Sequence, residues 1–178
     1  MNLFLKPQIR TLLAVCILSI AGRAAAENLI VYPNNEKPLF SIEVPENWKL
    51  YRAESDDQFF QVSGPAGVVM WFRAKVMTSE KEIEKAAEAA RESGKEWLAE
   101  SYADVVLEKA AIGERNGLPF AGVKGTGVYK RTSEAVNFTV AFIALPNGSL
   151  AQFWGIVPKK DATGERYFQK VLDSFKAK

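Results

Sequence analysis

Two long, mostly apolar strand-like runs, 135–145 and 150–157, are separated only by Pro146-Asn147-Gly148-Ser149. Asn-Gly between strand-like runs is a strong hairpin signal, and strands joined by so short a turn must pair antiparallel. The same pattern recurs along the chain. Phe40, Ile42 and Val44 alternate with Ser41 and Glu43 before a Pro45-Glu46-Asn47-Trp48 turn. Gly64-Pro65-Ala66-Gly67 separates a strand at 58–63 from one at 68–76. Further strands are expected at 29–32, 105–114 and 120–130, the last two flanking an Asn116-Gly117 turn.

One long helix interrupts this series. Ser79 and Glu82 form a capping box. Ile83, Ala86, Ala87, Ala90, Gly94, Trp97, Leu98 and Ser101 then recur at helical spacing to about Tyr102. The stripe is mostly Ala and Gly, which allows close approach to a sheet, and Trp97 and Leu98 are expected to anchor its far end. Asp161 caps a closing helix with Phe168, Val171, Leu172 and Phe175 on its apolar side. The expected fold is α+β: an antiparallel sheet of about six to seven strands with a long inserted helix and a C-terminal helix.

The first 26 residues read differently. Lys6 and Arg10 precede an apolar run, Thr11 to Gly22, followed by Ala24-Ala25-Ala26. This predicts a secretory signal peptide cleaved after Ala26. The run is about half of the ~20 residues a spanning helix needs, so no integral membrane span is expected after cleavage. Cys16 lacks a small residue before it and does not read as a lipid-attachment site. The expected organisation is a signal peptide at 1–26 and one domain at 27–178, periplasmic or secreted. Residues 27–178 hold 20 basic and 21 acidic residues and no Cys. Nothing basic remains to attract nucleic acid, and no disulfide is needed in an oxidising compartment.

The chain contains no His. Histidine-based catalysis and Cys/His zinc sites are therefore excluded, no nucleophile elbow or phosphate loop occurs, and no cofactor or metal is expected. Gly122, Gly125 and Gly127 do not open a helix, so they read as room for a neighbouring aromatic within a strand. Asp56 and Asp57 lie in a polar stretch and read as a solvated loop.

Two features remain as binding candidates. Glu84, Glu88, Glu92, Glu96 and Glu100 recur every four residues along the long helix, partly offset by Lys85, Arg91 and Lys95. They form an acidic ridge suited to a basic protein partner, with Trp48 beside its turn as an exposed contact. The other candidate is aromatic. On the strand from Val68, Val68, Met70 and Phe72 face one way and Val69, Trp71 and Arg73 the other. From Leu150, Gln152 and Trp154 oppose Ala151 and Phe153. Both faces carry large apolar groups, as when helices cover both sides of a sheet, and Trp71 and Trp154 could line a pocket for a small apolar ligand.

The order of elements resembles the PsbP/Mog1-like family of α-β-α sandwich domains. The resemblance rests on the opening strand Phe40-Ser41-Ile42-Glu43-Val44-Pro45-Glu46-Asn47-Trp48, the long helix inserted after three strands, and the ending Phe168-Gln169-Lys170-Val171-Leu172-Asp173-Ser174-Phe175. It implies a mostly non-enzymatic binding or assembly role, as in photosystem subunits, a nuclear-transport factor and secreted bacterial proteins. Some photosystem members use His near metal sites, a role this chain cannot carry over. The first expectation is thus a non-catalytic accessory protein contacting a protein of the cell envelope. The alternative is a carrier or sensor of a small apolar ligand.

Overall fold

The computed structural model describes residues 27–52, 59–76 and 82–178. The expected signal peptide, Asp56, Asp57 and the Ser79 cap lie outside the described residues.

Eleven strands and two helices are described. They are β1 (Glu27–Tyr32), β2 (Phe40–Pro45), β3 (Lys49–Arg52), β4 (Phe60–Ser63), β5 (Val69–Val76), α1 (Glu82–Ser101), β6 (Tyr102–Leu107), β7 (Ala111–Arg115), β8 (Leu118–Tyr129), β9 (Glu134–Ala144), β10 (Ser149–Pro158), α2 (Ala162–Asp173) and β11 (Lys176–Ala177). Every pairing is antiparallel.

The strand count is larger than expected. There are two sheets: an eight-stranded one in the order β3-β4-β5-β10-β9-β8-β6, with β7 also on β8, and a three-stranded one in the order β1-β2-β11. Three local causes explain the difference. β3 is exposed along its whole length, so no period-2 burial marks it. β11 is two residues long. The expected strand at 105–114 is broken: β6 pairs with the 125–129 half of β8 and β7 with the 118–122 half. Gly125 lets β6 come this close, because a Cβ there would lie 2.3 Å from the Val106 carbonyl oxygen. At Gly122 and Gly127 the expected aromatics occupy the space, Phe120 and Phe138 respectively.

The large sheet buries both faces. On one, Phe60, Val62, Met70, Phe72, Ile143 and Phe153 pack against the small sheet and against Phe168, Val171 and Leu172 of α2. Tyr32 and Phe40 stack there with centroids 4.9 Å apart, and Phe40, Phe72 and Phe153 extend the cluster. On the other face, Ile83, Ala87, Ala90 and Leu98 of α1 pack on Val123, Val136, Phe138, Val140 and Phe142. The α2 cap is as expected: the Asp161 carboxylate accepts from the Thr163 and Gly164 N–H groups at 3.0 Å each. The α1 C-terminus has no basic residue of its own in its last turn. Lys130 Nζ fills that role, donating to the Ala99 carbonyl at 2.6 Å.

Candidate functional site

α1 packs against β6, β8 and β9. Its cover ends at the β10 side, where Gly94 meets Trp154. A Cβ on Gly94 would sit 2.6 Å from that indole, so only glycine lets Trp154 lie flush against the helix. Beyond Trp154 the sheet continues through β5, β4 and β3.

The cross-strand register arranges what this shelf presents. Trp154 is opposite Trp71, Trp71 opposite Gln61, and Gln61 opposite Tyr51. The next row pairs Gln152 with Arg73. α1 supplies the wall. Trp97 is 51% exposed and stands nearly perpendicular to both sheet indoles. Its centroid is 6.2 Å from Trp71 at 84° and 5.7 Å from Trp154 at 78°. Edge-to-face contacts of this kind favour aromatic pairs beyond the area they bury. Between wall and floor lies a cleft of about 480 Å³, lined also by Phe59, Arg73, Ser93 and Gln152. That volume falls in the range of small-molecule sites.

The polar groups are ordered. The Trp71 indole N–H donates to Gln61 Oε1 at 2.8 Å, and Gln61 Nε2 donates to Ser63 Oγ at 3.1 Å. Arg73 Nε donates to Gln152 Oε1 at 2.9 Å, and Ser93 Oγ donates to the Ala89 carbonyl. The floor is thus held in place before any ligand arrives.

The structure therefore brings Trp71 and Trp154 together on one face, as alternation along their strands implied. It adds Trp97, which does not serve as a core anchor: Leu98 is the buried member of that pair. Trp48 is corrected as well. It is 5% exposed and packs edge-on to Tyr167 at 6.0 Å, with Gly64 against its ring, so it is core and not an exposed contact. The turn beside it bends the chain so that the indole reaches inward, a contact with α2 that no local pattern announces.

The acidic ridge is uneven. Glu88 and Glu92 both bind Arg91, at 2.7 and 2.6 Å. The hydrogen bond from Arg91, and then one from the Ala110 N–H, hold the Glu88 carboxyl below its ordinary range. Glu84, Glu96 and Glu100 are exposed, and Glu84 and Glu96 make no ion pair with a described residue. Among the described residues no three His, Cys, Asp or Glu side chains group to hold a metal ion. Among them, too, no helix is long and apolar enough to cross a membrane.

No family model matches the sequence, and no curated protein matches it significantly. Solved structures do match. The cyanobacterial PsbP protein (CyanoP) of Synechocystis aligns with a TM-score of 0.65 at 10% identity, over 90% of this chain and 99% of that one. The Ran-binding protein Mog1p of Saccharomyces cerevisiae aligns with a TM-score of 0.59 at 10% identity, over 86% and 96%. LpqN of Mycobacterium tuberculosis, described as involved in cell envelope biogenesis, gives 0.58 at 12% identity, over 84% and 89%. The chain has the PsbP/Mog1-like fold, as its element order suggested.

Proposed function

We propose that this protein is a non-catalytic binding protein of the cell envelope or the secreted space, and that it takes a small ligand on the tryptophan shelf beside α1. The carrying observation is the convergence of Trp71, Trp97 and Trp154 from three elements around a cleft of about 480 Å³. A half-exposed Trp costs hydrophobic free energy unless something covers it. Export is supported by the signal-peptide reading of residues 1–26. The envelope setting of LpqN, which shares the fold, points the same way. A non-enzymatic role is supported by the absence of His from the chain and of Cys from residues 27–178.

The test is native mass spectrometry of the protein isolated gently from its host's envelope fraction, beside a Trp97→Ala variant. The wild type should carry a stoichiometric extra mass of a few hundred daltons, and the variant should lose it while keeping its fold. A bare wild-type mass would overturn the small-ligand reading. A second reading, contact with a basic envelope protein through α1, is favoured by Glu84 and Glu96, which are exposed and form no ion pair with a described residue.

A further inference from the structure

We infer that the shelf selects a small organic anion with a flat, ring-bearing apolar body, its carboxylate-like head bound by Arg73. This rests on the shelf being the binding site. Arg73 is the one charged side chain lining the cleft among the described residues. Its Nε is committed to Gln152, which fixes the plane of the guanidinium. Its two terminal nitrogens have no partner among the described residues. A guanidinium with a free edge is matched by a planar anion that accepts two parallel hydrogen bonds.

The neighbouring polar groups do not compete for such a head. Ser93 gives its proton to the Ala89 carbonyl, and Trp71 gives its N–H to Gln61. The acceptor of Gln152 is already used by Arg73. No carboxylate among the described residues lines the cleft, so a cationic ligand would meet a positive charge that none of those residues offsets. The rest of the wall is indole and phenyl surface. Trp97 stands nearly perpendicular to Trp71 and Trp154, forming a corner into which a flat ring fits edge to face on one side and along the floor on the other. The fixed Arg73–Gln152 pair and the ordered Trp71 mean that little side-chain freedom is lost on binding.

The experiment is calorimetric titration with three probes that share one apolar body: naphthoate, naphthamide and naphthylmethylammonium. Naphthoate should bind at least about tenfold tighter than the amide, as expected for hydrogen bonds to a charged group, and the ammonium weakest. In Arg73→Gln, naphthoate should lose its advantage over the amide. Equal binding of acid and amide by the wild type, which requires no variant to fold, would overturn the anion assignment. So would a preference that survives Arg73→Gln. Failure of all three probes to bind, or binding indifferent to Trp97→Ala, would instead overturn the shelf as the site.

Discussion

Tyr102 and Tyr129 face each other across β6 and β8, with centroids 5.3 Å apart. Burial raises the Tyr102 pKa, and the neighbouring Tyr129 raises it further. Burial likewise raises that of Tyr32, against the lowering effect of a hydrogen bond with Ala74. A raised pKa in the folded state means that the folded chain holds its phenolic proton where the unfolded chain has lost it. The stabilisation is complete below pH about 10 and is lost as pH rises through the higher folded value. Urea midpoints measured from about pH 8 to about 11 should therefore fall for the wild type and fall less steeply for Tyr102→Phe. Identical slopes would remove the burial argument. At this scale the sequence was legible for Trp71 and Trp154, because strand alternation fixes which face each side chain takes. Trp97 and Trp48 were not legible. Whether a residue at the border of a helix stripe is buried depends on how far the helix extends over the sheet. A Trp beside a turn is buried or exposed according to what α2 brings to it.

The elements follow their local chemistry where caps and turns decide the matter. Asp161 satisfies two otherwise unpaired N–H groups at the start of α2, whose Phe168, Val171 and Leu172 are buried in the core. Asp161→Ala should cost about 1 kcal/mol, read as a lower urea midpoint with an unchanged slope; no loss would mean that packing alone holds the helix start. The hairpin at 146–149 forms as expected, with Gly148 at φ +77° and Asn147 Oδ1 accepting from the Ser149 N–H. The 105–114 segment misled because nothing in its own residues marks the point where β8 accepts first one strand and then another. That change is dictated by Gly125 on the partner strand, not by the segment itself.

For the molecule as a whole, the order of strands and helices carries the fold, and chains only 10–12% identical share it. Order is set by hydrophobic period and turn chemistry, which tolerate wide exchange of residues. The site is less legible, since it arises where α1 stops covering a sheet wider than the helix. The outer surface of α1 offers a separate test of the protein-partner reading. Glu84→Lys with Glu96→Lys should leave the unfolding free energy from urea titration within about 0.5 kcal/mol of the wild type, both residues being exposed and without an ion pair to a described residue. Naphthoate binding should also be unaltered, while an envelope protein cross-linked to the wild type is no longer recovered. Recovery undiminished by the double reversal would remove the helix surface from the account.

Three of the four tryptophans of the chain stand within contact of one another on the shelf, while Trp48 is enclosed on the far side of the sheet. Indoles this close share their excited states. The optical spectra of the protein are accordingly dominated by one coupled cluster, with Trp48 as an enclosed internal reference. Whatever settles into the corner alters emission and near-ultraviolet dichroism together, so the molecule carries its own label at the place where occupancy matters.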